Sequence, residues 1–541
     1  MHVRGFRIFF TLFTMLFSLV KVCSVTAQHK PVLEPHQLAG KRIVFTNWYF
    51  VRPPHIDWVN DEGQSVYISK TAKFDEYDAH FVSHDAPYGI RLFVEPAQRE
   101  IPIIPNDKPW DKCGIGLSTL IYENGKYRLW GGCSYDKLHL RPCYFESTDG
   151  VHWQKPDLGL VEFGGNRNNN LLPTDVGFSI FIDPRAPPEE RYKTVMHTTI
   201  SRQQFEKYKN TRPWYIMIME PGFDRVHVIS GAVSPDGFHW KKLKDPISIE
   251  HGDTQNICYY DEKLGKYVLY TRNHMVEPGT DKIPFPNLKL HKHISRRAIG
   301  RAESKSFRQF PLSEVIIETE ADMNPSDEFY TNCYTTIPDA PDQRVMFPML
   351  YNKAIDEQSK ILFYSSYNGK TWHRVPGPPV FQTQPYGELD GGSIIALPNL
   401  VERPNGDWIL PYDGFNVPHK YPRGGAYRPT PGLLVWPKGR LAGIEAPEVG
   451  EFATIAFILP GQKMLINALT KRAGYIKIEV VGFDGKPIKG HTFKDCDPII
   501  GNQYRKIVTW GGNGDLGVET GSPVYFRFKM KFAKLYGLDF E

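Results

Sequence analysis

The chain has 541 residues, 41% hydrophobic and 13% aromatic, with 46 Gly and 44 Pro. That loop-rich globular composition excludes a disordered chain, and the length calls for two domains or one large repeat domain with an accessory. The formal charge of +5 includes Arg4, Arg7 and Lys21; without them the chain is nearly neutral, and nothing in the charge points to nucleic acid as a partner.

Residues 1–27 read as a signal peptide. Arg4 and Arg7 precede an apolar run from Ile8 to Val20, and Val25-Thr26-Ala27 offers a cleavage site. The run is shorter than the roughly 20 residues that a membrane span needs, and no later stretch is a better candidate. The mature protein is therefore expected to be secreted or periplasmic. Cys23 could carry a lipid, but Lys21 and Val22 before it do not fit a lipid-attachment site. Six cysteines follow: Cys113, Cys133, Cys143, Cys258, Cys333 and Cys496. Without CxxC pairs they argue against zinc, and most of them read as isolated buried thiols.

Residues 28–100 carry strand signals and are assigned to the closing of the domain that follows or to the cover of the last one. From 101 to 440 the sequence repeats. Ser147-Thr148-Asp149-Gly150-Val151-His152-Trp153 recurs as Ser234 to Trp240 and, with Asn for Asp, as Ser366 to Trp372; Ser304 to Phe310 is a degenerate copy. Asp-Gly or Asn-Gly makes a tight turn and the aromatic packs back on it, so the motif marks the outer hairpin of a blade and carries no catalysis. A second element is a polar turn before an aromatic or apolar strand. It appears at Gly125 to Trp130, Glu190 to Val195, Gly265 to Tyr270, Gln343 to Phe347 and Gly406 to Leu410. Repeats of about 60 to 85 residues, each holding about four strands, predict a propeller. The blades fall at 101–160, 161–245, 246–312, 313–378 and 379–440. Beyond 440 the cadence stops, and 441–541 reads as an antiparallel sandwich. The fold class is thus all-β, a five-bladed β-propeller followed by a small antiparallel β-sandwich.

The innermost strands of a propeller start at one mouth, and an acid precedes each of them here: Asp111, Asp175, Asp253, Asp327-Glu328, and Glu388 with Asp390. Like charges gathered in one cavity are costly unless a ligand, metal or shared proton offsets them. Glycoside cleavage uses this equipment, one carboxylic acid protonating the leaving oxygen and a second carboxylate activating water or attacking carbon. Each acid alone also suits a turn or cap. No cofactor is required, although the carboxylates and Asn256 would suit a calcium ion. Arg272, Asn273, His274, Asp413 and Asn416 follow second strands near the same mouth, and Trp110, Tyr330 and Tyr386 could stack on sugar faces. A basic stretch, Lys289 to His293 with Arg296, Arg297 and Arg301, could meet an anionic substrate or be a solvated loop.

With these residues in hand, the chain resembles the five-bladed propeller glycosidases, the grouping of glycoside hydrolase families 32 and 43, and among them exported bacterial members with a C-terminal sandwich. The resemblance rests on Gly252-Asp253-Thr254-Gln255-Asn256, the Asp-Gly-x-x-Trp hairpins, Asp327-Glu328-Phe329-Tyr330-Thr331-Asn332 and Asp495-Cys496-Asp497-Pro498. It covers residues 100 to 541. It implies a funnel site with three acids: a first-blade Asp as base or nucleophile, a second-blade Asp that tunes, and a third-blade Glu as general acid. Asp111 and Asp175 fit the first two positions. The third departs from the pattern, because blade three offers Asp253, with Glu250 upstream. The expectation is a glycoside hydrolase with Asp111 as base or nucleophile, Glu328 as general acid and Asp253 as orienting carboxylate. Asp175, Asp390, Glu388, Arg272, His274 and Trp110 would bind a carbohydrate substrate. The alternatives are a glycan-binding propeller without catalysis and a glycoside phosphorylase with Arg272 and His274 on phosphate.

Overall fold

The computed structural model describes residues 35–69, 79–136, 140–173, 179–215, 225–275, 296–354, 358–420 and 428–541. The signal segment, Cys23, Asp175 and Lys289 to His293 lie outside them. The described residues are almost entirely strand and loop. The α-helix Arg202–Lys209 is started by Ser201, whose hydroxyl accepts from the Gln204 N–H while the Gln204 side chain accepts from the Ser201 N–H.

From Gly114 to Trp436 the chain forms successive antiparallel meanders. The first sheet is Gly114–Glu123, Lys126–Ser134 and Leu140–Ser147. The second is Ser179–Ile182, Tyr192–Ser201, Arg225–Ser234 and Lys241–Lys242. The third is Ile257–Asp261, Lys266–His274, Arg297–Ser304 and Glu314–Ile317. The fourth has each strand interrupted once, so it pairs in two registers. Asp327–Phe329 leads one and Tyr334–Ile337 the other. The fifth is Ser393–Ala396, Trp408–Phe415 and Pro429–Trp436. Its outer strand is Gln98–Glu100, contributed by the N-terminal part of the chain. Residues 98–100 thus join the last meander although they precede the first in the chain.

Side-chain to backbone hydrogen bonds tie these sheets into a closed ring. Thr119 Oγ1 accepts from the Ile180 N–H at 3.0 Å and Ser179 Oγ from the Cys258 N–H at 3.3 Å. Gln255 Oε1 accepts from the Cys333 N–H at 2.6 Å, and Thr335 Oγ1 from the Leu400 N–H at 3.0 Å. Asp413 Oδ1 then accepts from the Leu117 N–H at 2.8 Å, joining the fifth sheet to the first. Each bond satisfies a buried backbone donor that the sheet ladders leave over.

The Asp-Gly hairpins complete the ring from outside. In the second sheet Ser234 Oγ accepts from the Gly237 N–H, and Asp236 Oδ1 accepts from the N–H groups of Phe238 and His239 at 2.8 and 2.9 Å. Trp240 Nε1 donates to the Gly237 carbonyl, and so does Trp130 Nε1 from the first sheet. The same docking recurs where Tyr270 reaches Gly369 and Arg403 reaches Gly150. The repeated motif clamps neighbouring sheets together. Gly237 has φ +83 and an added Cβ would stand 2.7 Å from the Trp130 ring, so glycine is required there.

The C-terminal sheet has eight strands. Met464–Gly482 pairs along its length with Pro523–Phe540, and register breaks at Asn467/Ala468 and Thr470/Tyr475 mark bulges in that ladder. Ala442–Ala453 pairs the other edge of Pro523–Phe540, and Arg91–Val94 extends it. His36–Gln37 and Arg42–Ile43 join the same sheet. One apolar cluster runs from Phe347 and Trp436 in the ring to Phe528 and Phe540 in this sheet, and His36–Glu541 forms one compact unit.

Two of the cysteines depart from the reading of isolated thiols. Cys133 and Cys143 form a disulfide between neighbouring strands of the first sheet, Cα atoms 6.0 Å apart, whereas Cys113, Cys258, Cys333 and Cys496 are free. A spacing of ten residues gives no motif; the hairpin brings the pair together. Among the described residues no helix is long and apolar enough to cross a membrane.

Candidate functional site

The site follows from strand overhang. Tyr270 is the last residue of Lys266–His274 paired with the innermost strand, so Thr271 to His274 extend beyond the start of that strand. In the second sheet Tyr192–Ser201 pairs along its length with Arg225–Ser234, which carries His197 to His227. Residues two apart share a face, so Arg272 and His274 point together while Thr271 and Asn273 point away. Arg297 stands opposite His274 in the adjoining strand.

The turn Gly252 to Asn256 supplies the carboxylate. Asn256 Nδ2 donates to the carbonyls of Gly252 at 2.9 Å and Thr254 at 3.1 Å, and its Oδ1 accepts from the Thr271 hydroxyl at 2.6 Å. Gln255 Nε2 donates to the Ala396 carbonyl at 2.9 Å, while its Oε1 takes the Cys333 N–H. The turn is thereby pinned to the third, fourth and fifth sheets, and it presents Asp253 with its side chain 32% exposed.

Arg272 donates to Asp253 Oδ1, and Arg297 stands 3.8 Å from the same oxygen. His251 Nε2 is 3.4 Å from Asp253 Oδ2, near enough for charge to act but not aligned for a hydrogen bond. Arg272 Nε and Nη2 reach His274 Nε2 at 3.3 and 3.1 Å. Arginine has no acceptor, so His274 Nε2 carries the lone pair and the proton sits on Nδ1. His227 bridges the remaining rings: its Nδ1 lies 2.6 Å from His197 Nε2 and its ring 4.7 Å from that of His251. Tyr330 lies under the Arg297 guanidinium at 4.4 Å, and its hydroxyl meets His419 Nε2 at 2.7 Å.

Burial raises the Asp253 carboxyl, but the His251 contact and the charges of Arg272 and Arg297 outweigh it and hold it far below the usual range. Burial pushes His251 down to about 4, against the pull of Asp253. Burial, then Arg272 and Arg297, drive His274 well below its ordinary value. Burial, then His227, lower His197. At neutral pH this mouth therefore holds an ionised carboxylate, two guanidiniums and neutral imidazoles at His197, His251 and His274.

Of the residues expected from sequence, the structure brings together Asp253, Arg272 and His274. Asp111 makes none of these contacts; its side chain is 0% exposed, accepting from the Lys108 N–H at 2.9 Å and from Lys155 Nζ at 2.5 Å. Trp110 donates to Asn170 Oδ1 at 2.8 Å and packs edge-on against Phe163. Glu328 pairs with Lys353 at 2.5 Å. Asp390 is fully buried and accepts from Arg99 and from the Tyr412 hydroxyl, and Glu388 stands 3.5 Å from Arg99 with half its side chain exposed. Asp413 is buried behind the first sheet, and burial raises its carboxyl well above the usual range against the pull of the Leu117 N–H. Among the described residues no ion pair or hydrogen bond joins Asp253 to Asp111, Glu328 or Asp390. No group of three or more His, Cys, Asp or Glu there is placed to hold a metal ion.

Sequence reasoning missed His197, His227 and His251. Each stands alone in its segment, and they meet only through the pairing of Tyr192–Ser201 with Arg225–Ser234 and the turn beside it. Arg297 was read within a basic stretch that could meet an anionic substrate or be a solvated loop; it is a strand residue with its side chain 14% exposed.

No protein-family model matches the chain, and no curated protein does. Solved structures resemble it remotely. The Bombyx mori GH32 beta-fructofuranosidase is 9% identical, with 82% of this chain and 95% of that one covered at a TM-score of 0.37. A glycosyl hydrolase from Bacteroides ovatus is 14% identical over 64% and 95% of the two chains, TM-score 0.37. An N-acetylgalactosamine deacetylase from F. plautii is 13% identical over 64% and 96%, TM-score 0.35. At such identities and scores none of them assigns an activity to this chain.

Proposed function

We propose that this chain is an exported glycoside hydrolase built on a five-bladed propeller, with its site at the mouth where the innermost strands begin. The observation that carries the reading is the Gly252 to Asn256 turn. It is pinned to three sheets, and its Asp253 is an ionised, partly exposed carboxylate among donors. Cleavage of a glycosidic bond needs a carboxylate that stays charged and a second carboxyl that delivers a proton. Asp253 suits the first task as the group that orients a sugar or steadies developing positive charge, and its depressed titration rules it out for the second. Glu328 is the proposed general acid, with Asp111 as base or nucleophile; Lys155 must move before Asp111 meets a substrate. Glu388, Asp390 and Asp175 remain candidates for sugar hydroxyls. The Cys133–Cys143 disulfide supports export, since such bonds persist in oxidising compartments.

The test is a screen of the mature protein against neutral and acidic glycans, reading released reducing sugar, with Asp253→Asn, Glu328→Gln and Asp111→Asn in parallel. Release lost in Asp253→Asn and Glu328→Gln supports the proposal. Release unchanged in both sinks the site while keeping the enzyme. Glycan binding without release from any substrate would make the protein a binder.

A further inference from the structure

Among the described residues that contact Asp253, donors outnumber acceptors. Arg272 and Arg297 share the single carboxylate of Asp253, which bonds Arg272 and stands 3.8 Å from Arg297. Nη1 of Arg297 is buried and makes no hydrogen bond, and neither does Nδ1 of His274, which the Arg272 contact makes a donor. His251 likewise makes no hydrogen bond from either ring nitrogen, its Nε2 standing 3.4 Å from Asp253 Oδ2. Glu250, the nearest acid in sequence, is committed elsewhere, to Ser313 and Ser248. Among the described residues these two guanidiniums have one acid between them, and buried donors without acceptors are costly to leave so. Tyr330 meanwhile holds the Arg297 plane by stacking beneath it.

We propose that Arg297, Arg272, His274 and His251 form an oxyanion subsite. The group bound would be a carboxylate, sulfate or phosphate, because the planar fork of arginine matches two oxygens of such a group and the imidazoles add neutral donors beside it. This rests on the reading of the mouth as a carbohydrate site, and it narrows the substrate to one bearing, or accompanied by, an oxyanion. The anion has two sources: a charged substituent on the glycan, as in a uronic acid or sulfated sugar, or a free inorganic ion.

Titration calorimetry on the mature protein tests this, with inorganic phosphate, inorganic sulfate, galacturonate and neutral galactose as probes. Arg297→Gln removes the fork and charge; Arg297→Lys keeps the charge and loses the fork. Melting profiles confirm that both variants fold, and Arg272→Gln serves where Arg297→Gln does not. The expected result is binding of at least one oxyanion, weakened tenfold or more in Arg297→Gln, partly restored in Arg297→Lys, and absent for galactose. Galacturonate above the inorganic ions assigns the anion to the sugar, and the reverse order assigns it to a free ion. No oxyanion binding at millimolar concentration, or binding unchanged in the arginine variants, overturns the subsite. Hydrolysis of a neutral glycan that survives Arg297→Gln would keep the hydrolase and discard the subsite, whereas anion binding without any glycan release would do the opposite.

Discussion

Glu250 provides a quantitative test of the electrostatics beside the mouth. It is 2% exposed and its oxygens meet the hydroxyl and N–H of Ser313 and the hydroxyl of Ser248. Burial raises the carboxyl to about 7, and the hydrogen bonds from Ser313 and Ser248 only partly oppose this. A carboxyl whose folded value lies above its unfolded value near 4.5 stabilises the fold fully below pH 4.5. That contribution is lost as pH rises toward 7, because the unfolded chain releases the proton first. The separation between 4.5 and about 7 corresponds to about 3 kcal/mol, of which about 2 kcal/mol is lost between pH 5 and pH 7. Glu250→Gln keeps the size and an acceptor but cannot ionise. Its stability relative to the natural protein should therefore rise by about 2 kcal/mol from pH 5 to pH 7 and flatten above pH 8. Urea unfolding followed by tryptophan fluorescence at pH 5, 6, 7 and 8 gives the difference directly. A difference that stays constant across that range would show that Glu250 ionises normally, and the account of its burial would be wrong.

Other expectations follow from the same structure. His251, held near 4 by burial, should make the protein lose stability as pH falls from about 6.5 to 4, since the unfolded chain takes up the proton first; His251→Gln should flatten that limb of the urea midpoint against pH. Asp236→Ala removes the acceptor of two backbone N–H groups in a clamp between sheets and should destabilise by about 1–3 kcal/mol, read as a lower urea midpoint. Replacing Cys133 and Cys143 together by Ser should destabilise by about 2–3 kcal/mol, and thiol titration of the unfolded natural chain should gain thiols when a reductant is added whereas the variant's should not. Asp253→Asn should abolish glycan release in the hydrolysis screen while changing the unfolding free energy from urea titration by no more than about 2 kcal/mol, because the carboxylate is partly exposed.

The repeat was legible in the sequence because its signals are local. Asp236-Gly237 turns the chain whatever surrounds it, and Trp240 two residues beyond Phe238 finds the Gly237 carbonyl within the same hairpin. What the hairpin clamps was not legible: that Trp130 of the preceding sheet donates to the same carbonyl depends on the ring. The acids were read by position before each innermost strand, and position proved a weak guide to environment. Asp111 and Asp253 precede corresponding strands, yet one is sealed under Lys155 and the other opens beside Arg272. Lys155 lies 44 residues from Asp111, beyond any local pattern.

The same distinction explains why the way the basic residues of the mouth meet was not legible. Arg272 and His274 are neighbours in one strand and were found from the sequence. Arg297 faces His274 only because Lys266–His274 and Arg297–Ser304 pair in one register, and a slip of one residue would turn Arg297 to the other face. His197 and His227 meet by the corresponding pairing in the second sheet. The overhang of the third sheet is set by how far its second and third strands outrun the innermost one, which no single segment encodes. The ring of hydrogen bonds through Thr119, Ser179, Gln255, Thr335 and Asp413 ties the five sheets to one another, and so holds the turn of Asp253 in place. A substitution in that ring, such as Gln255→Ala, would therefore disturb the mouth without touching Asp253 or either arginine.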